Sequence, residues 1–214
     1  MTNKINDLSN EIVSLAEKIF PSRLVIEDIE DNDNDERFLQ LSVKHINNLD
    51  SEIISSCLNL LELNLSHYYI KYNGENWKDG KLLEMHEDGL IYVYYTDYKN
   101  KCNVPIFLSF MNTIDNGLKV FYLYEIQILE NYRNRKNGRL LLSKFHDLCS
   151  EFNQKSNEKL YGTALTVFSE NELAYRFYLH NGYSITNYSP KDKKLRHGKI
   201  LKPEYYILSR PLKP

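Results

Sequence analysis

Four basic side chains, Arg133, Arg135, Lys136 and Arg139, surround an Asn-Gly pair within VFYLYEIQILENYRNRKNGRLLL, residues 120–142. The alternation ahead of them predicts a strand, and the apolar spacing behind them predicts the start of an amphipathic helix. A strand that runs straight into a helix N-terminus presents unpaired amides and the positive end of the helix dipole, which attract an anion; the four side chains add full charges. The chemistry this predicts is the seating of a phosphorylated cofactor, with a solvated basic turn as the other reading. Upstream, Glu125 stands inside an otherwise apolar and aromatic strand. Desolvating a lone carboxylate there costs roughly several kcal/mol, so Glu125 needs a cationic partner or a task such as accepting a proton. Tyr124, one residue earlier, points to the opposite face of a regular strand.

Periodicity supplies the elements that must position these groups. Ile5, Leu8, Ile12, Leu15, Ala16 and Ile19 recur at helical spacing and stop at Pro21. Residues 23–29 and 37–43 read as two short strands around the acidic run 27–36, EDIEDNDNDE. A helix is predicted over 53–69, followed by an irregular segment, 70–76, that leads to the single tryptophan, Trp77. Trp77 is either a core anchor or a ligand contact. Strands at 90–96, at 105–112 and from 118 onward, separated by turns at 97–103 and 115–117, make an antiparallel meander. Leu141, Phe145, Leu148 and Phe152 form one helical stripe, and a strand follows at 160–168. A helix at 171–180 is stopped by Gly182, and strands at 183–188 and 204–209 flank the basic loop 191–202. Strands first, then strand-helix-strand-helix-strand, predict an α+β fold whose later half has parallel character.

With 214 residues, 42 % of them hydrophobic, the chain suits one large domain with an N-terminal extension. Three cysteines without a C-x-x-C pair point away from a disulfide framework or a zinc site and toward a reducing compartment. The first twenty residues have no continuous apolar stretch, Thr2 excludes myristoylation, and no later run is apolar enough for a bilayer, so a soluble intracellular protein is expected. The net charge of -2 conceals an asymmetry: residues 131–214 hold 16 Lys and Arg against 7 Asp and Glu, and residues 1–130 hold 11 against 22. An acidic part and a basic part suit partners of opposite charge, although much of the acidity lies in the run 27–36. The loop 191–202 lacks interleaved aromatics, so no specific nucleic-acid binding is expected.

Arg133, Lys136 and Gly138 fall on a Gln/Arg-x-x-Gly-x-Gly/Ala turn, and Asn171, Ala174, Phe177, Tyr178, Gly182 and Tyr183 on Asn-x-x-Ala-x-x-aromatic-Tyr-x-x-x-Gly-aromatic. On these two motifs the chain resembles the GNAT superfamily of acetyl-CoA-dependent N-acetyltransferases, although Lys136 occupies the place of the first loop glycine. Within that superfamily, Tyr122 to Gln127, Leu165 to Phe168 with Asn171, Ala174, Tyr175 and Phe177, and Tyr206 to Arg210 resemble the NatD family. NatD-type enzymes acetylate the N-terminal amine of core histones four and two-A, whose sequence begins Ser-Gly-Arg-Gly.

The resemblance implies a GNAT fold over residues 49–214, with a mixed central sheet splayed at the cofactor strand and flanked by helices, and with residues 1–48 as an extension packed on it. It implies acetyl-CoA as co-substrate, no metal, and direct attack through a tetrahedral intermediate; the alternatives are a GNAT acetyltransferase acting on another amine, a lysine or a small molecule, and a degenerate GNAT fold that binds peptide. Glu125, Tyr124 and Tyr178 are the implied catalytic residues, Glu125 as base and Tyr178 protonating the departing thiolate. An α-amine has an unperturbed pKa of about 7.7 to 8.0, so one carboxylate suffices for its deprotonation. Tyr178, Ala174 and Phe177 equally suit a helix core. The cofactor would be held by the amides of Ile126, Gln127 and Ile128, by the turn Arg133, Asn134, Arg135, Lys136, Asn137, Gly138 and Arg139, and by Asn171 and Phe177. The side chains of Ile126 and Ile128 would be core. For the peptide the implied residues are Tyr69, Trp77, Tyr122, Tyr124 and Tyr205, with Asp115 facing the substrate arginine and Thr113 where a second acid is expected. Among seventeen tyrosines, packing is the competing role for each. A monomer, in cytoplasm and nucleus and associated with ribosomes, completes the expectation.

Overall fold

A computed structural model of the chain describes residues 2–25, 38–97 and 100–212, with side chains from residue 8 onward. The acidic run 27–36, the far end of the strand expected over 23–29 and part of the 97–103 turn lie outside the described residues. In chain order the elements are α1 (Thr2–Ile19), β1 (Arg23–Val25), β2 (Phe38–His45), α2 (Ser51–Asn73), α3 (Trp77–Met85), β3 (Ile91–Asp97), β4 (Ile106–Asp115), β5 (Leu118–Ile128), α4 (Asn137–Lys155), β6 (Gly162–Phe168), α5 (Glu172–His180), β7 (Ser184–Ile185), β8 (Lys193–Lys194), β9 (Ile200–Leu201) and β10 (Tyr205–Pro211). They fall into two compact units, Met1–Phe110 with Glu125–Leu148, and Met111–Tyr124 with Cys149–Pro214.

The first unit is an antiparallel meander, β1-β2-β3-β4, with Val43 opposite Val93 and Val93 opposite Leu108. β3 is buried along its length from Ile91 to Thr96, so it reads as a continuous apolar run rather than an alternation. Its tyrosine hydroxyls donate to carbonyls, Tyr92 to Met85 at 2.7 Å and Tyr95 to Pro21 at 2.9 Å, which removes the penalty of burying them. Ile12, Leu15, Ala16 and Phe20 face inward from the N-terminal segment, and Ile53, Ile54, Cys57, Leu60 and Leu61 from α2. α2 continues four residues beyond the expected 69 and ends at Gly74, φ 82, a conformation glycine reaches without strain. The segment expected to be irregular therefore belongs largely to α2, and Trp77 opens a second helix that the periodicity did not announce.

In the second unit the order is β4-β5-β6-β10-β7. Asn116 and Gly117, with φ 46 and 81, make the tight two-residue hairpin between β4 and β5. β5 and β6 are the parallel pair, in register from Val120 with Gly162 to Leu123 with Leu165. That ladder spans only the first part of β5, which runs on to Ile128, and this is the divergence expected of the strand. β10 is antiparallel to both β6 and β7. The strand expected over 183–188 shrinks to Ser184–Ile185. The basic loop 191–202 contains a separate two-stranded hairpin, β8 with β9. Among the described residues no helix is long and apolar enough to cross a membrane, and no group of His, Cys, Asp or Glu could hold a metal ion.

Candidate active site

Alternation along β5 sorts its side chains: Leu123, Glu125 and Gln127 are buried, and Tyr122, Tyr124, Ile126 and Ile128 are half-exposed. Tyr124 and Glu125 thus take opposite faces, as a strand requires. Ile126 and Ile128, expected in the core, instead share the half-exposed face, because the buried positions are taken by the two polar residues.

Glu125 lies in the first unit and, among the described residues, meets Lys81, Tyr69 and Gln127 there. Lys81 Nζ is 2.6 Å from Oε1, Tyr69 OH donates to Oε1 at 3.3 Å, and Gln127 Nε2 donates to Oε2 at 2.7 Å. Lys81 also donates to Glu84. Burial works against the Lys81 charge, but the Glu125 and Glu84 carboxylates outweigh it and hold the ammonium well above its ordinary value. Burial raises the Glu84 carboxyl, and Lys81 only partly counters the rise. Burial, followed by the Glu125 charge, also raises the Tyr69 phenol, which therefore stays protonated at neutral pH. Tyr69 stacks on Trp77 at 4.5 Å between centroids and 10° between planes, and Trp77 is buried. Trp77 is thus a core anchor that braces Tyr69.

Lys81 was not legible as a site residue. Trp77, Lys81 and Met85 recur every four residues and form the buried face of α3, a spacing that offers a lysine where an apolar residue is the usual choice.

A chain of side-chain hydrogen bonds runs on from Glu125. Asn64 Nδ2 donates to Gln127 Oε1 at 2.9 Å, and the Arg133 guanidinium donates to Asn64 Oδ1 and, through Nε, to the Ile128 carbonyl at 2.9 Å. Arg133 is therefore tied back onto α2 and the end of β5. Beyond it, Asn134 and Lys136 have φ 61 and 63, and both are exposed with Arg135 and Arg139. Lys136 occupies the left-handed region where glycine is free of strain, at a cost of about 1 kcal/mol for a side chain with a Cβ. Asn137 and Gly138 are not the tip of a turn; they begin α4, whose first backbone bond runs from Leu140 N to Lys136 O at 3.0 Å. Asn137 itself is helical, and the positive φ values fall on Asn134 and Lys136.

In the second unit, Asn171 caps α5: its Oδ1 accepts from Ala174 N at 3.2 Å. Tyr178 is buried, with Phe177 and Tyr183 packed edge-on at 5.4 and 5.7 Å. Tyr122 packs edge-on against Tyr124 at 5.5 Å, and its hydroxyl pairs with Thr166 Oγ1. The Asp115 carboxylate accepts from the Tyr188 hydroxyl, a partner the sequence did not suggest. Thr113 is half-buried on β4 and Tyr205 is exposed on β10; among the described residues neither bonds to another candidate.

The succession of strands and helices, with one parallel pair at β5 and β6, defines a protein of the GNAT N-acetyltransferase fold. No protein-family model matches the chain. The PaiA N-acetyltransferase of Thermoplasma acidophilum, solved in complex with coenzyme A, superposes with a TM-score of 0.51 at 12 % identity over 81 % of this chain and 99 % of that one. A GNAT-family acetyltransferase from Staphylococcus aureus Mu50 does so at 0.53, with 19 % identity over 81 % and 99 %. In sequence the chain is a homologue of N-alpha-acetyltransferase 40 of Saccharomyces cerevisiae, 33 % identical over 172 residues, which are 69 % of this chain and 59 % of the relative. It therefore spans less than two thirds of that relative's length.

Proposed function

We propose that this chain transfers an acetyl group from acetyl-CoA to the N-terminal α-amine of a protein, with the Ser-Gly-Arg-Gly terminus of histones four and two-A as substrate. The observation that carries the reading is the carboxylate of Glu125, buried in β5 and held by Lys81, Tyr69 and Gln127. The homology to a yeast Nα-acetyltransferase supports it.

The residues present suit the co-substrate. Two left-handed residues, Asn134 and Lys136, lead into the N-terminus of α4, and Arg135, Lys136 and Arg139 stand exposed around it. First-turn amides lack helical acceptors and attract phosphate. Acetyl-CoA supplies the activated acyl group. Glu125 takes the proton of the incoming ammonium, so the nitrogen lone pair becomes available as the carboxylate becomes the acid. In the first unit Tyr69 is the candidate for contact with the peptide; in the second unit the candidates are Tyr122 and Tyr124, with Asp115 for the substrate arginine and Tyr178 for returning a proton to sulfur. Action in cytoplasm and nucleus, at the ribosome and as a monomer, belongs to the same proposal.

Labelled acetyl transfer to a Ser-Gly-Arg-Gly peptide tests this. Transfer that disappears when the peptide terminus is blocked supports it, and transfer indifferent to the block, to a lysine side chain, overturns it. Reversing one exposed charge, Arg139→Glu, is expected to weaken acetyl-CoA binding about tenfold at low salt, roughly 1.4 kcal/mol, and less at high salt. Calorimetric titration at two ionic strengths reads it.

A further inference from the structure

Three charged groups meet in the first unit where one pair would serve. Lys81 contacts both Glu125 and Glu84, and the Lys81 and Glu125 side chains are 5 % and 7 % exposed. Replacing a buried ion pair by apolar residues is often neutral or stabilising, so stability alone does not account for the arrangement. Its geometry shows what it does to Glu125. A carboxylate offers about four acceptor positions. Among the described residues Lys81 and Tyr69 occupy Oε1 and Gln127 occupies one position on Oε2, which leaves a single position, on Oε2.

Resting on the reading of Glu125 as the base, we propose that Lys81 is a positioning residue that holds Glu125 by Oε1 and leaves Oε2 to the substrate, and that Glu84, sharing the ammonium, sets the strength of that hold. The proton leaves the substrate ammonium for Oε2; no other reactant is needed. The groups facing the pair are Tyr69 and Cys57 of α2, Tyr92 of β3 and Glu84 of α3, with Glu87 beside Glu84. Burial raises the Tyr69, Cys57 and Tyr92 protons, so these three stay neutral and the electrostatics near pH 7 belong to the carboxylates and Lys81.

Opposite signs make the test. In Lys81→Met the ammonium is gone, and the acid limb of kcat/KM against pH moves up, with the KM for acetyl-CoA unchanged. In Glu84→Gln a competing negative charge is gone, and the limb moves down. Lys81→Arg restores most of the activity. The probe is a synthetic peptide beginning Ser-Gly-Arg-Gly, and the carboxyl carbon-13 titration at position 125 reads the same two displacements without turnover. Limbs and titrations that stay in place in folded variants, with activity tracking only the folded fraction, overturn the proposal. Should Lys81→Met fail to fold, Glu84→Gln decides by itself. If Glu125→Gln keeps wild-type kcat, the base assignment has failed; if it is inactive while both displacements are absent, only the role of Lys81 has.

Discussion

Glu125→Gln is expected to lower kcat for acetyl transfer by about 10²- to 10³-fold at pH 7 while leaving acetyl-CoA affinity within about twofold. The amide keeps the size of the carboxylate, and its one oxygen can still accept from Lys81 and Tyr69, with its NH2 group turned to Gln127, whose side-chain amide would have to flip to accept from it. Lys81 retains Glu84 as its counter-charge, which spares it from becoming an isolated buried cation. The size of the deficit should itself depend on pH. An unperturbed α-amine titrates at about 7.7 to 8.0, so above that range the peptide arrives deprotonated and needs no base. The loss is therefore greatest at low pH and narrows as pH rises through the amine's own titration. Initial rates of the variant and wild type from pH 6 to 9.5 check this. Full activity at pH 7 in the folded variant would sink the assignment, and a deficit constant with pH would assign Glu125 to structure instead.

The meander, the parallel pair and the α4 stripe were readable because each buries a face, and burial is what periodicity records. The continuation of α2 through Asn73 was not, because its last turns carry exposed residues such as Ile70 and Lys71 that leave no apolar stripe to count. α3 was hidden twice over, by Gly80 in its interior and by Lys81 on its buried face. The strand expected at 183–188 has the right alternation. However, Thr186 N bonds to Ile207 O and Ser189 N to Thr186 O, which turns the chain and delivers Tyr188 to Asp115. At the site, a carboxylate in an apolar strand announced that Glu125 needs a partner or a task, and the fold gives it a partner in Lys81. A pairing across 44 residues has no local signal, and neither has the use of Asn64 to link Gln127 with Arg133. Lys136, directly before the helix start at Asn137, has φ 63, a conformation that no local pattern in the sequence announces.

Gly162→Ala is expected to be the most damaging small change in the second unit. Gly162 lies in β6 between two neighbours, opposite Val120 of β5 and Pro211 of β10. A Cβ placed there would stand 2.2 Å from the Arg210 carbonyl oxygen and 2.8 Å from the Pro211 Cα. Both are backbone atoms, so no rotamer change relieves the clash. The strand has little freedom to move away: Tyr161 N donates to Lys119 O at 2.8 Å on one side, and Leu212 N to Tyr161 O at 2.8 Å on the other. Overpacking of this kind costs about 3 kcal/mol. In a chain of this size that corresponds to a fall in melting temperature of roughly 6 to 12 °C. Gly80→Ala provides the contrast within the same fold. Nothing lies within 4 Å of a Cβ at that position of α3, and alanine is favoured over glycine in a helix interior by about 1 kcal/mol, so the melting temperature should rise by roughly 2 to 4 °C. Differential scanning calorimetry of the two variants beside the wild type reads both signs. A Gly162→Ala protein that melts with the wild type would mean that β6 and β10 do not approach at Gly162 and Arg210 as described.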